Sequence, residues 1–214
     1  MLDTPSNFHC IDHPLIQHKL TLLRRKTTVQ KEFRELVHEI TLLLTYEATR
    51  HLSLVTTTIE TPLETTESPC LSHKNKPVII PILRAGLGMV DAFLTLLPEA
   101  RVGHIGMFRD EETLKPHHYY FKIPKDSSQS HVFICDPMLA TAGSIVAAIH
   151  QLKQQGIHQI VFICLVAAPE GVAYLTKEHP DVPVYAASLD RKLNQKGYIL
   201  PGLGDAGDRL FGTI

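Results

Sequence analysis

Apolar positions in the first fifty residues recur at three- and four-residue steps. Phe33, Leu36, Val37, Ile40, Leu43 and Leu44 form one such stripe, the mark of an amphipathic helix. A shorter helix is predicted over residues 15–26. Residues 56–61 are rich in threonine and β-branched side chains and predict a strand, and the polar stretch 62–76 predicts an exposed loop. From Pro77 onward the period changes. Residues 78–83, 132–135, 160–167 and 182–187 are short, almost wholly apolar runs, as expected of strands buried on both faces. Helices are predicted between them over 85–97, 144–155 (stopped by Gly156) and 170–177, with a further strand at 102–108. The aromatic run 117–123, bounded by Pro116 and Pro124, predicts a strand in a hairpin or a dimer arm. Gly and Pro return after Gly197, where the pattern predicts a shaped loop. Strands alternating with helices imply an α/β fold, a mostly parallel sheet covered on both sides. A helical segment of about residues 1–55 is expected to pack on that core.

Composition narrows the function classes. A chain of 214 residues suits one domain spanning 1–214. The formal net charge of −1 gives no overall field for nucleic acid or an anionic membrane. The N-terminus lacks the basic and apolar regions of a secretory signal, and no apolar run approaches the roughly 18 residues of a spanning helix, so a cytoplasmic protein is expected. Cys10, Cys70, Cys135 and Cys164 make no C-x-x-C pair, which argues against a disulfide framework. The thirteen histidines are scattered and predict no structural metal site.

Chemistry concentrates in residues 132–144, VFICDPMLATAGS. An apolar strand ends in an acid, a loop of small residues follows, and a helix begins. Ligands of open α/β sheets bind at the carboxyl ends of strands. A helix N-terminus offers unpaired N–H groups and a favourable dipole to an anion. Thr141 and Ser144 add hydroxyl donors, while Ala140, Ala142 and Gly143 let a phosphate come close to the backbone. There is no G-x-x-x-x-G-K-[ST] loop and no G-x-G-x-x-G after a strand, which leaves a monophosphate as the better match. Asp136 stands before the loop, where it can accept hydrogen bonds from sugar hydroxyls. By spacing alone, a phosphate cradle and an ordinary capped helix start are equally good readings.

Residues 136–144, DPMLATAGS, resemble the phosphoribosyl pyrophosphate motif of the type I phosphoribosyltransferases, in the form found in uracil phosphoribosyltransferases. The blocks PILRAGLGM (81–89), GMFRDEETLKP (106–116) and GYILPGLGDAGDRLFGT (197–213), with HPLIQHKL (13–20) and LLTYEAT (43–49), are similar to the same family, in order along nearly the whole chain. The resemblance implies a type I phosphoribosyltransferase fold and a pentosyltransferase of pyrimidine salvage that makes UMP and pyrophosphate from uracil and phosphoribosyl pyrophosphate. It implies that Asp136 holds the ribose hydroxyls and that Pro137, Met138, Leu139, Ala140, Thr141, Ala142, Gly143 and Ser144 form the phosphate loop. Arg84 and Arg109 are implied to contact pyrophosphate, Arg109 from a mobile loop and with a catalytic role. Uracil is implied to meet main-chain groups of Ile199, Gly204, Asp205 and Ala206. Asp205 is implied to be catalytic, to touch phosphoribosyl pyrophosphate and to hold Mg²⁺ through water. Asp208 is read as a structural partner of Arg209 or Lys192. The family also implies a homodimer or higher oligomer and, for some members, activation by GTP. One position departs from the pattern: Ala142 stands where the family usually has glycine, and its methyl would crowd the loop if φ there is positive. That feature favours a relative that only binds nucleotide. The lack of a clustered basic patch argues against an RNA-binding regulator on the same fold.

Overall fold

The computed structural model describes residues 5–72, 74–109 and 116–213. Its elements in chain order are β1 (Phe8–Cys10), α1 (Pro14–Arg24), α2 (Gln30–Ala48), β2 (Leu54–Glu60), β3 (Thr65–Leu71), β4 (Val78–Leu83) and α3 (Leu87–Leu96). There follow β5 (Arg101–Val102), β6 (His104–Arg109), β7 (Pro116–Lys122), β8 (Val132–Cys135), β9 (Met138–Leu139) and α4 (Gly143–Gln154). The chain ends with β10 (Ile160–Ala167), α5 (Pro169–Glu178), β11 (Val184–Leu189), β12 (Lys192–Leu193), β13 (Ile199–Leu200) and α6 (Ala206–Phe211).

The central sheet runs β1-β11-β10-β8-β4-β6-β7. Its pairings are parallel except β6 with β7. Alternate residues of the central strands feed two separate cores, which is why these strands read as unbroken apolar runs. Ile79, Phe133, Ile163 and Tyr185 face α1, α2 and α3, packing against Leu23, Phe33, Ile40 and Phe93. Val78, Ile80, Ile134, Phe162 and Val184 face α4 and α5, against Ile145, Ile149, Leu152 and Leu175. Pro81 sits inside β4, where a missing N–H would ordinarily break a ladder. Here Val78 and Ile79 pair with β5 while Ile82 and Leu83 pair with β6, so Pro81 lies opposite the break between those two strands.

Three features differ from the sequence expectation, and a fourth decides between its two alternatives. Residues 65–71 are a strand rather than a loop: β2 and β3 form a separate two-stranded antiparallel ribbon, full register Leu54↔Leu71 to Glu60↔Thr65. β3 has no fully buried position, its residues alternating between exposed and half-buried, so the polar sequence TTESPCL shows no apolar face that marks the strand. The 117–123 segment is the hairpin strand of the two alternatives, pairing antiparallel with β6 at the sheet edge, and not a separate arm; the separate two-stranded ribbon is β2–β3. Phe8–Cys10 is an edge strand inside a stretch read as helical, held by β11 on one side only. Finally, the glycine-rich tail contains α6, capped by the Asp205 carboxylate, which accepts from the Asp208 N–H at 2.9 Å.

Candidate active site

The site follows from where consecutive helices go. After β4 the chain passes to α3 on one face of the sheet, and after the adjacent β8 it passes to α4 on the other. Neighbouring strands whose connections diverge leave a crevice at their carboxyl ends. Two glycines let the segments beside it pack closely. A side chain at Gly86 would strike the carbonyl of Cys135, so glycine lets the Arg84 turn lie directly on the end of β8. A side chain at Gly171 would strike the carbonyl of Ala140, so the start of α5 buttresses the loop that follows β8.

Within that loop the Pro137 carbonyl accepts from Leu165 and Val166, and the Leu139 carbonyl accepts from the Ala168 N–H at 2.8 Å. These bonds fasten β9 to the end of β10. Asp136 accepts from the Met138 N–H at 3.1 Å. Burial pushes its carboxyl up to about 7, an effect only partly countered by that bond. Ala142 is the residue before α4 and has φ 63°, ψ 0°. The position therefore has the positive φ that the sequence comparison with glycine raised. It turns the chain so that α4 starts at Gly143, with its first intrahelical bond from Val146 N–H to the Ala142 carbonyl at 2.9 Å.

A cavity of about 480 Å³ opens on this loop, a volume in the range of small-ligand sites. Asp136, Met138, Ala140 and Ser144 form one wall, Arg84 and Ala85 another, and Ile199, Asp205 and Gly207 from the tail the third. Arg84 is largely exposed; its guanidinium lies 3.4 Å from Asp208, a long contact between solvated groups that leaves it able to turn to a ligand. Asp208 also accepts from the Thr213 hydroxyl. Arg209 instead donates to the Leu203 and Arg25 carbonyls and stacks on Phe33 at 4.2 Å, so Asp208 partners Arg84 and Thr213 rather than Arg209 or Lys192.

Seven of the sequence-predicted residues thus line one cavity. Pro137, Leu139, Thr141, Ala142 and Gly143 belong to the same loop without forming its wall, and Leu139 is buried in the core. Gly204 and Ala206 flank Asp205 off the wall, Ala206 fully buried. Arg109 ends β6; its side chain and residues 110–115 lie outside the described residues. Lys196 and Tyr198 also line the cavity and were not singled out by sequence. They sit on a turn organised by Asn194, whose side-chain oxygen accepts from both of their N–H groups at 2.9 and 3.0 Å. Asn194 with Gly197 three residues on is a legible turn signal, but nothing local says that this turn overhangs a ligand cavity.

The sequence matches the uracil phosphoribosyltransferase family over residues 10–213. The chain belongs to that family. It is similar to the uracil phosphoribosyltransferase of Streptococcus agalactiae, 60% identical over 206 residues that cover 96% of this chain and 98% of the relative. A uracil phosphoribosyltransferase of Fervidobacterium nodosum is also 60% identical, over 205 residues covering 96% and 99%. A solved structure from Aquifex aeolicus superposes with a TM-score of 0.89 at 36% identity, over 95% of this chain and 97% of that one. At 12% identity and a TM-score of 0.56, an adenine phosphoribosyltransferase of Trypanosoma brucei shares the fold, over 89% of this chain and 87% of that one. The type I phosphoribosyltransferase sheet is thus common to members that are otherwise divergent in sequence.

The family works on a substrate that travels with a divalent metal. Among the described residues no three His, Cys, Asp or Glu side chains cluster as a metal cage. The carboxylate of Asp205 on the cavity wall suits the sparse protein contribution that Mg²⁺ requires when substrate phosphates and waters fill most of its shell.

Proposed function

We infer that the cavity performs the reaction for which the family is named, transfer of the phosphoribosyl group from phosphoribosyl pyrophosphate to uracil, giving UMP and pyrophosphate. The observation that carries this reading is the single cavity in which the loop after β8, Arg84 and the tail around Ile199 and Asp205 meet. The whole chain serves as one catalytic unit. The 5-phosphate rests on the start of α4, where Gly143 and Ser144 present N–H groups and the Ser144 hydroxyl adds a donor. Asp136 accepts from the ribose hydroxyls, and Met138 and Ala140 shape the wall between. Pyrophosphate lies toward Arg84, whose planar fork suits phosphate oxygens, with Arg109 closing over it. Mg²⁺, held through water by Asp205, would supply charge neutralisation on the pyrophosphate.

Pyrophosphate departs from the anomeric carbon as positive charge grows on the ribose, uracil N1 bonds to the opposite face, and the N1 proton is lost to solvent. No protein nucleophile is needed. The protein aligns the two substrates and stabilises the departing charge through Arg84 and Arg109. Uracil is read by main-chain groups near Ile199, Gly204, Asp205 and Ala206. An exocyclic amino group in place of a carbonyl would then face a backbone N–H and leave it unpaired, a penalty of about 1–3 kcal/mol. This disfavours cytosine.

The β2–β3 ribbon is the natural contact between two copies. An isolated two-stranded ribbon is marginal in water, and this one exposes Leu54, Val55, Ile59 and Leu63, the last 95% exposed. A homodimer would cover it. No helix among the described residues is long and apolar enough to cross a membrane, and all four cysteines are free, which suits the reducing cytoplasm. The resemblance further implies GTP as an activator. The decisive test is a pyrophosphate-release assay with phosphoribosyl pyrophosphate and Mg²⁺, offering uracil, cytosine, hypoxanthine and orotate in turn, with and without GTP. Turnover confined to uracil supports the reading, and no turnover with uracil overturns it.

A further inference from the structure

The base-reading turn carries no regular structure between Leu200 and Ala206. Main-chain recognition demands a fixed backbone, so something must hold it. Within it, Gly202 is gripped from both sides. The Gly202 N–H donates to Asp190 Oδ2 at 2.9 Å, and the Gly202 carbonyl accepts from Arg24 at 2.9 Å. Arg24 and Asp190 are themselves a bidentate pair, with one contact at 2.8 Å. The Ser188 hydroxyl donates to Asp190 at 2.7 Å, completing the acceptor's partners. The Asp190 side chain is 2% exposed and that of Arg24 21%. A buried carboxylate with so many donors is rigid, because loss of any one strands a charge out of water.

The pair also connects the two halves of the site. The Asp190 N–H donates to the Ala167 carbonyl at 2.7 Å, at the end of β10, while the next residue, Ala168, bonds the Leu139 carbonyl in the phosphate loop. The adjacent Arg191 N–H bonds the Leu200 carbonyl at 2.9 Å. The base turn and the phosphate loop are thereby referenced to the same strand end. Neither Arg24 nor Asp190 lines the cavity.

We propose that Arg24 and Asp190 are a positioning pair that sets the shape of the uracil-reading turn through both main-chain groups of Gly202. The proposal rests on the reading of that turn as the base site. Its consequence is graded: weakening the pair loosens the grip on uracil and its discrimination from cytosine more than the binding of phosphoribosyl pyrophosphate, which shares only Asp205 with the turn and is held mainly by Arg84 and the loop after β8.

The test combines hydrogen exchange with steady-state kinetics on Asp190→Asn, Arg24→Lys and Ser188→Ala. Asn keeps the size of Asp190 but not its charge, Lys keeps the charge of Arg24 but not its fork, and Ala removes one hydroxyl. In Asp190→Asn, amides of residues 199–205 are expected to exchange at least tenfold faster, with those of β8 and α4 unchanged. KM for uracil is expected to rise about tenfold or more and KM for phosphoribosyl pyrophosphate by no more than about threefold. Arg24→Lys and Ser188→Ala are expected to move the same quantities by smaller factors, which keeps the test decisive should Asp190→Asn not fold. Unaltered exchange at 199–205, or equal rises in both KM values, overturns the proposal. If the unaltered protein turns over no uracil, the base-site reading fails on its own account, and hydrogen exchange still decides whether the pair holds the turn.

Discussion

Asp136→Asn is expected to make the protein more stable and much less active. Burial raises the Asp136 carboxyl from the ordinary 3.8 to about 7. The folded state therefore holds the proton more tightly than the unfolded chain does. Below about pH 4 both states are protonated and no difference arises. Between there and about pH 7 the unfolded chain ionises first, so stability falls as pH rises; above pH 7 the cost is complete. At about 1.36 kcal/mol per pH unit, that displacement corresponds to about 4 kcal/mol. Asp136 lines an open cavity and is only partly buried, which reduces this to about 2 kcal/mol. Asparagine cannot ionise, and its side-chain oxygen keeps the bond from the Met138 N–H. Urea unfolding of both proteins without substrates is the assay. The variant should exceed the wild type by about 2 kcal/mol at pH 8 and by a clearly smaller margin at pH 5. A pH-independent difference, or a less stable variant at pH 8, refutes the reasoning. Ribose hydroxyls favour the charged carboxylate, so wild-type affinity for phosphoribosyl pyrophosphate should weaken as pH falls below about 7, and the variant's should not.

Ala142→Gly should stabilise the fold by about 1 kcal/mol, since relief at a positive φ of 63° outweighs the greater chain entropy of glycine; a lower denaturation midpoint would contradict this. Arg109→Ala should lower turnover about a hundredfold with the melting temperature unchanged, because its proposed role lies with departing pyrophosphate; unchanged steady-state kinetics rule that role out. Asp205→Ala should abolish turnover while costing only about 1 kcal/mol through loss of the α6 cap, and an active variant would remove Asp205 from the site.

The buried strands were legible in the sequence because both faces of each are apolar, so 160–167 emerged with the bounds that β10 has. The loop 136–144 was legible because acid, small residues and helix start are contiguous. Amphipathic α1 and α2 were legible for the same local reason. β2 was legible from its threonine and β-branched residues, but its partner β3 was not, since a strand whose positions are only exposed or half-buried has no buried face to read. Nor was α6, since six residues among glycines carry too little periodicity. What made a site of the loop was tertiary. Arg84 reaches it because Gly86 lets two backbones touch, and the tail is tied across from it by bonds from distant segments, among them those of Arg24 to the Gly202 carbonyl and of Arg191 to the Leu200 carbonyl. Local pattern determines elements because burial and backbone hydrogen bonding act over a few residues. A cavity is set by which strand ends become neighbours and which way their helices leave, and those are properties of the assembled sheet.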